Sequence, residues 1–265
     1  MLALRAGRAG ESTMPFITPL TEPIARRVFM RLGAILRRRS GRWPPQRRQV
    51  TTADIAGTRP ISHDFGWDRG TPIDRFYVER FLAANAADIR GRALEVGDAT
   101  YCRQFGKANV VQQDVLNVNP AARETTIDGD LATPGTLPDR AFDCVVLTQT
   151  LHLVFDFGGA LAGLAQAIAP GGVLLLTVPG ISPIDRLEWS NCWFWSFTDR
   201  SLRRLADQYF PGWEVNIEQH GNIFAAISFL HGLALEEIDT EKLKPVDDAY
   251  PVIVTARLRR PAADV

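Results

Sequence analysis

The sequence predicts an α/β fold in which a mainly parallel sheet is covered by helices on both faces. Three observations support this prediction: short apolar segments alternate with helix-like segments, the first apolar segment ends in glycine, and an Ala/Leu-rich helix stops at Pro170-Gly171 before a further apolar run. This alternation is typical of βαβ units, which bury a parallel sheet between helices. With 46% hydrophobic residues, 23% charged residues and a mean hydropathy of −0.07, the chain is of the globular class, and we expect no membrane-spanning segment.

Local patterns predict each element in turn. Thr71-Pro72-Ile73-Asp74 is typical of a helix start with Thr71 as the cap, and Thr198 caps a second helix over 199–209. Two further helices are expected, one between the fourth and fifth strands and one from about 223 to 237. The predicted strands cover residues 93–97, 109–113, 124–128, 142–148, 172–178, 213–219 and 251–258.

The first 60 residues differ in charge from the rest of the chain. They contain twelve arginines against Glu11, Glu22 and Asp54, whereas the remaining residues are net acidic. From Pro23 onwards, apolar residues recur at helical spacing between the arginines. We therefore expect a basic N-terminal arm over residues 1–60, partly disordered or an amphipathic helix, in front of a domain over residues 61–265. The arm is either a solvated tail or a peripheral contact with an anionic membrane.

The three cysteines predict neither a metal site nor a disulfide framework. Cys102, Cys144 and Cys192 are widely spaced and form no C-x-x-C motif. We therefore expect no metal and a reducing, cytoplasmic compartment, with the membrane periphery as the alternative if the arm binds lipid. Because the arm lacks aromatic or motif support, we expect no nucleic-acid partner.

Candidate binding residues follow the predicted strands, because ligands of an open parallel sheet bind beyond the carboxyl ends of its strands. Glu95 and Gly97 end the first strand. Asp114 comes 19 residues after Glu95 at the predicted end of the second strand, a spacing at which a carboxylate reaches ribose hydroxyls. Asp130 follows the third strand, in plausible reach of an amine on a base. Alternatively, Gly97 only forms a turn, and the acidic residues are only solvated side chains at the strand ends.

Histidine and aromatic residues supply candidates for the reaction itself. His152 follows the fourth strand and is the first candidate for a general base, although a histidine bonded to the backbone is an equal alternative. His220, His63 and His231 are the further candidates. A cluster of rings packs against the apolar surface of a ligand or fills the core: Trp189, Trp193, Phe194, Trp195 and Phe197.

Five segments together resemble the class I S-adenosylmethionine-dependent methyltransferases over about residues 70–220. These are LEVGDATY, QQDV, DGDL, FDCVVLTQTLHLV and APGGVLLLTVPG. The resemblance implies a Rossmann-like sheet of seven strands in the order 3-2-1-4-5-7-6, with the seventh antiparallel, and S-adenosyl-L-methionine across strands 1 and 4. The arm with RGTPIDRFYVERFL looks like a bacterial branch of the family often associated with glycosyltransferase and polysaccharide genes.

The resemblance also implies a set of cofactor-binding residues. They are Glu95, Gly97, Asp98, Tyr101, Asp114, Asp130, Leu131, Thr148 and Gln149. Asp74, Arg75 and Tyr77 either cover the methionine moiety or only cap and pack their helix. The family's loop E-x-G-x-G-x-G is altered here, because Ala99 and Tyr101 replace two of its glycines. Either the loop follows a different path, with Tyr101 packed beside the cofactor, or cofactor affinity is reduced.

We therefore expect a methyltransferase that uses S-adenosyl-L-methionine, and specifically an O-methyltransferase acting on a small-molecule or glycan-linked acceptor. One alternative is a non-catalytic binding module that kept the fold and lost the cofactor. The other is a nicotinamide-dependent oxidoreductase, against which the missing G-x-G-x-x-G motif argues. The sequence predicts no oligomeric state.

Overall fold

A computed structural model describes residues 47–122 and 124–262, and the predicted helix of the arm lies outside them. Seven strands form one sheet in the order β3-β2-β1-β4-β5-β7-β6. Their bounds are β1 Gly91–Val96, β2 Val110–Asn117, β3 Ile127–Asp128, β4 Phe142–Thr148, β5 Ile168–Pro179, β6 Glu214–His220 and β7 Ile253–Arg259. β7 is antiparallel to β5 and β6, and the other pairings are parallel. The predicted fold class and strand order are confirmed.

The described residues contain α-helices on both faces of this sheet. They are α1 Thr52–Ile55, α2 Ile73–Ala84, α3 Phe157–Ala167, α4 Asp199–Tyr209 and α5 Ile223–Leu230. The side chains of Asp156, Thr198 and Asn222 cap α3, α4 and α5 by accepting from backbone N–H groups at 2.9 to 3.1 Å. Within the described residues, no helix combines the length and apolar character needed to cross a membrane.

The central strands are buried on both faces. Leu94 of β1 and Val145 of β4 belong to one apolar cluster with the buried side of α3. Their strand neighbours Ala93 and Val146 point the other way and pack with α2. Because both faces are covered, the strands read as continuous apolar runs, and ligands reach this sheet at its edges.

Two predicted helix boundaries are wrong. Thr71 does not cap α2: its backbone N–H and hydroxyl donate to the Glu236 carboxylate at 2.9 and 2.8 Å, and Pro72 is the residue that precedes the helix. α5 ends at Leu230 and not near 237, because Gly232 adopts φ +66° and reverses the chain. A Cβ at Gly232 would lie 2.6 Å from the Ser62 carbonyl oxygen, so this turn packs too closely for a side chain.

The segment over 47–60, which the sequence assigned to the arm, contacts the domain. The Arg47 guanidinium donates to the Asp68 carbonyl oxygen at 2.8 Å, and the Arg48 N–H donates to the Glu237 carboxylate at 3.3 Å. Glu237 also forms a buried ion pair with Arg69, with 2.7 Å between Nε and Oε2. The chain before α2 and the chain after α5 are therefore held together.

Candidate functional site

The turn after β1 leaves open space at the carboxyl edge of the sheet. Gly97 follows β1 with φ +99°, a conformation that favours glycine, and a Cβ placed there would meet nothing within 4 Å. Its N–H donates to the Leu116 carbonyl oxygen of β2 at 2.9 Å. The backbone at Gly97 is thus fixed by its neighbouring strand while its outer face stays accessible to a ligand.

Glu95 shapes this turn from inside the protein. It is 3% exposed, and its carboxylate accepts from the backbone N–H groups of Tyr101 and Cys102 at 3.0 and 2.8 Å. Burial raises its pKa to about 7, against the lowering effect of these two hydrogen bonds. Glu95 therefore caps the helical turn that follows Gly97, and its carboxylate faces the loop backbone.

The two replaced glycines do not strain the loop. Ala99 is fully buried and lies outside the positive-φ residues, so its methyl group enters the interior without a left-handed backbone. Tyr101 begins the turn that continues as Cys102–Gly106, and its phenol oxygen accepts from Arg75 Nη1 at 3.1 Å. Tyr101 is thus directed towards α2.

The first turn of α2 brings two incompletely bonded charged groups to this loop. Asp74 is 8% exposed, and Asp74 Oδ1 and Arg75 Nε are buried without a hydrogen-bond partner among the described residues. Arg75 Nε lies 3.9 Å from the other oxygen of Asp74. Tyr77 differs from its expected role, since its hydroxyl donates to the Leu243 carbonyl oxygen in the core at 2.9 Å.

Asp114 is not at the end of the second strand. β2 continues to Asn117, and Asp114 lies opposite Leu94 in the middle of the sheet. Both of its oxygens are engaged, Oδ2 by Arg92 Nε at 2.7 Å and Oδ1 by Thr126 Oγ1 at 3.0 Å. The predicted place of Asp114 at the end of the strand is therefore wrong, and its carboxylate joins β1, β2 and the chain before β3.

Asn117 stands at the end of β2 where the acid was expected. Its Nδ2 donates to the Gly97 carbonyl oxygen at 3.0 Å, and its Oδ1 accepts from the Asn119 N–H at 2.9 Å. The side chain is thus used to fix the β1 turn. The sequence did not indicate Asn117, because Asp114 is the acid that precedes it along the chain and was interpreted as the end of the strand. The apolar residues Val115 and Leu116, which are buried, show that the strand continues.

The remaining predicted cofactor residues lie along the same edge. Asp98 and Asp130 are exposed, and one oxygen of each accepts from a backbone N–H, of Thr100 at 2.8 Å and of Ala132 at 2.9 Å. Leu131, next to Asp130, is buried in the core cluster.

Thr148 ends β4, and Gln149 follows it with φ +46°, which is uncommon for a residue other than glycine. Two hydrogen bonds to Thr177 of β5 hold Gln149 there: its N–H donates to the carbonyl oxygen at 2.9 Å, and its side-chain amide donates to Oγ1 at 3.1 Å. A strained residue held at a strand end in this way is typical of a functional site.

His152 is buried just beyond β4, at one end of a row of three packed rings. It is 2% exposed, its Nδ1 has no partner among the described residues, and its ring lies 4.3 Å from that of Trp193. Trp193 in turn stacks on Phe65 at 5.7 Å with an interplanar angle of 14°. Burial lowers the pKa of His152 to about 3, so the ring is neutral near pH 7 and a weak proton acceptor.

The other aromatic residues divide between core and surface. Phe197 is buried, and Trp195 packs on Phe157 and donates from Nε1 to the Val154 carbonyl oxygen at 3.1 Å. Trp189 and Phe194 are exposed. The core interpretation therefore holds for Phe197 and Trp195, whereas Trp189 and Phe194 lie at the surface.

The three other histidines are spread over the molecule. His220 Nε2 lies 2.9 Å from Thr255 Oγ1, and β6 is separated from β4 by β5 and β7. Three strand spacings are about 14 Å, so His220 is distant from the end of β4. His63 and His231 line a separate cavity.

A family model described as "Methyltransferase domain" matches residues 59–236. The match covers more than half of the chain, and the chain belongs to this methyltransferase family. The predicted class is confirmed: the domain is an S-adenosyl-L-methionine-dependent methyltransferase domain.

Individual relatives show more distant similarity. Probable polyketide synthase 10 of Dictyostelium discoideum is 33% identical over 89 residues, which are 33% of this chain and 4% of that protein's length. A SAM-dependent methyltransferase structure from Archaeoglobus fulgidus has 12% identity and a TM-score of 0.48, covering 70% of this chain and 94% of its own. The N-methyltransferase NodS of Bradyrhizobium japonicum, in complex with S-adenosyl-L-homocysteine, has 14% identity and a TM-score of 0.46, covering 79% and 95%.

Proposed function

We propose that this protein transfers the methyl group of S-adenosyl-L-methionine to an oxygen of a small-molecule or glycan-linked acceptor. The observation that carries the proposal is the open face of Gly97 at the carboxyl end of β1. On α2, which the Arg75–Tyr101 hydrogen bond joins to this loop, Asp74 Oδ1 and Arg75 Nε have no hydrogen-bond partner among the described residues. When bound, S-adenosyl-L-methionine supplies an electrophilic methyl group on a sulfonium.

Asp74 and Arg75 fit the amino-acid end of this cofactor. A carboxylate oxygen without a donor suits an ammonium group, and a guanidinium N–H without an acceptor suits a carboxylate. A buried polar group without a partner is costly, which favours a ligand that satisfies both. The pair therefore orients a zwitterion beside the Gly97 turn.

Asp98 and Asp130 are proposed to contact the nucleoside end. Each has one carboxylate oxygen held by a backbone N–H, which fixes the side chain, and both side chains are exposed. They follow β1 and β3, on either side of β2. We assign Asp98 to the ribose hydroxyls and Asp130 to the amine of the base, with Leu131 as an apolar neighbour.

The acceptor is proposed to lie beyond β4, beside the ring of His152. Methyl transfer from a sulfonium depends mainly on alignment and exclusion of water, which a wall of rings supplies. With its low pKa, the neutral His152 ring orients an acceptor hydroxyl through a hydrogen bond at Nδ1. The neutral His152 ring is too weak a base to keep the hydroxyl proton, which passes to solvent as the acceptor oxygen takes the methyl group.

Calorimetric titration of the full chain tests the cofactor assignment. We expect S-adenosylmethionine and S-adenosylhomocysteine to bind, and NAD and NADP to bind at least tenfold more weakly, because the glycine pattern for a pyrophosphate is missing. Tighter binding of a dinucleotide would favour the oxidoreductase. Binding of neither group would favour the non-catalytic module.

A further inference from the structure

A cavity of about 520 Å³ lies next to the stacked rings of Phe65 and Trp193. Its walls come from residues 57–65 before α2, residues 183–186 after β5, and residues 230–231 at the end of α5. Phe65 belongs both to this wall and to the stack with Trp193. Two successive ring contacts therefore connect the cavity to His152 beyond the end of β4.

The walls of the cavity are fixed by the backbone. The N–H groups of Ile61 and Ser62 both donate to the His231 carbonyl oxygen, at 2.9 and 3.1 Å. Phe65 adopts φ +52°, which costs a bulky residue on the order of 1 kcal/mol or more and persists only where the surroundings impose it. The cavity is therefore formed before any ligand binds.

Among the described residues, the charged side chains that line the cavity are all basic. Arg59 and Arg186 are exposed, and neither forms an ion pair or hydrogen bond within the part of the chain that the structure describes. His231 contributes a buried Nδ1 that likewise lacks a partner there. The nearby Asp185 does not neutralise them by direct contact, because it is buried and accepts from the N–H groups of Leu187 and Trp189.

The mouth of the cavity is apolar. Ile184 is 62% exposed and Leu230 is 42% exposed, and both line it. Ile223, Ile227 and Leu230 recur at helical spacing and are exposed along α5, so the apolar surface continues from the mouth along this helix.

We propose that this cavity binds an anionic oxygen group of the acceptor, of the phosphate type, and that the acceptor's apolar part lies on the exposed aliphatic residues at the mouth. This inference rests on the proposed function, since it names the acceptor class of the same site. Two arginines in one preformed cavity attract an anion through charge-assisted hydrogen bonds. The acceptor is therefore an anionic amphiphile. Its reactive end lies along the rings of Phe65, Trp193 and His152, towards the end of β4.

Calorimetry with n-octyl phosphate, below its micelle concentration and at low salt, tests the proposal on the full chain. Octyl glucoside controls for the apolar part, and inorganic phosphate controls for the anion. We expect octyl phosphate to bind at least tenfold more tightly than either control and to weaken with added salt. Equal binding of octyl glucoside or of inorganic phosphate would overturn the proposal.

The double variant Arg59→Gln/Arg186→Gln tests the residues. Because both side chains are exposed, we expect its melting temperature to match the wild type while octyl phosphate binds at least tenfold more weakly. Arg200→Gln, at an exposed arginine on α4 outside the cavity, should bind like the wild type. Unchanged affinity in the double variant would overturn the proposal.

Titration with S-adenosylhomocysteine separates this inference from the proposed function. If S-adenosylhomocysteine binds and octyl phosphate does not, the assignment of the anion site is wrong and the methyltransferase assignment stands. If octyl phosphate binds through the two arginines and S-adenosylhomocysteine does not bind, the anion site stands and the proposed methyl transfer fails.

Discussion

Arg75 of α2 donates a hydrogen bond from Nη1 to the phenol oxygen of Tyr101 at 3.1 Å. Tyr101 occupies a position where the family's loop has glycine, so the replacement adds a contact between the loop and the helix. The same guanidinium lies 5.6 Å from the ring centre of Trp67, which holds it from a second side. Arg75 is thus positioned from two sides, while its buried Nε has no hydrogen-bond partner among the described residues.

The Arg75–Tyr101 contact predicts graded effects on cofactor affinity. Arg75→Gln should weaken S-adenosylhomocysteine by about 1.5 to 3 kcal/mol, the usual value for a hydrogen bond to a charged group. Tyr101→Phe should cost about 0.5 to 1.5 kcal/mol, because it removes only the positioning bond. Calorimetry measures both, and Arg80→Gln, at an exposed arginine of the same helix, is the matched control. Equal affinity of Arg75→Gln and the control would remove Arg75 from the site.

Asp114 and Asp98 should respond in opposite ways to substitution. Asp114→Asn leaves Arg92 with a neutral partner, so we expect lower stability in urea and unchanged affinity for S-adenosylhomocysteine. Asp98→Ala should weaken binding by about 1.5 to 3 kcal/mol if it holds the ribose hydroxyls. Asp139→Ala, at an exposed acid after β3, serves as the control. A loss of affinity in Asp114→Asn without a loss of stability would restore the role first expected of it.

The two tryptophans of the ring cluster should separate core from pocket. Trp195→Ala should reduce the free energy of unfolding by about 3 to 5 kcal/mol, because it empties space beside Phe157. Trp193→Ala should destabilise less, keep S-adenosylhomocysteine affinity, and weaken octyl phosphate through the loss of support for Phe65. Thermal melts and calorimetry on both variants measure this. The same large loss of melting temperature in both would place Trp193 in the core.

The low pKa of His152 predicts a loss of stability in acid. In the unfolded chain the imidazole takes up a proton below its ordinary pKa near 6.5, whereas the folded protein keeps it neutral down to about pH 3. The stabilising contribution is therefore fully present above pH 6.5 and lost as the pH falls towards 3, amounting to about 2 kcal/mol between pH 7 and pH 5. Urea unfolding of the wild type and His152→Gln at both pH values measures it. An identical pH dependence in the two proteins would contradict the buried neutral ring.

The sequence predicted the sheet well because its central strands are buried on both faces, as the continuous apolar run over 172–178 shows. It located the end of β2 wrongly, because an acid inside a strand resembles an acid after one until its partner Arg92 is known. The end of α5 was marked by Gly232, but the long apolar pattern concealed it. The cavity was beyond prediction, since its walls come from segments distant in sequence that only tertiary packing brings together.

The position of β7 in the sheet has a consequence for folding during synthesis on the ribosome. β7 lies between β5 and β6, so the edge of β5 stays unpaired until residues 180–252 have been synthesised. At ordinary translation rates this takes on the order of 4 to 15 seconds. Throughout that interval an apolar strand edge from Val173 to Pro179 is open to pairing with other chains, which is the usual route to aggregation. Until β7 inserts, something other than β7 must therefore shield the β5 edge of the nascent chain from other chains.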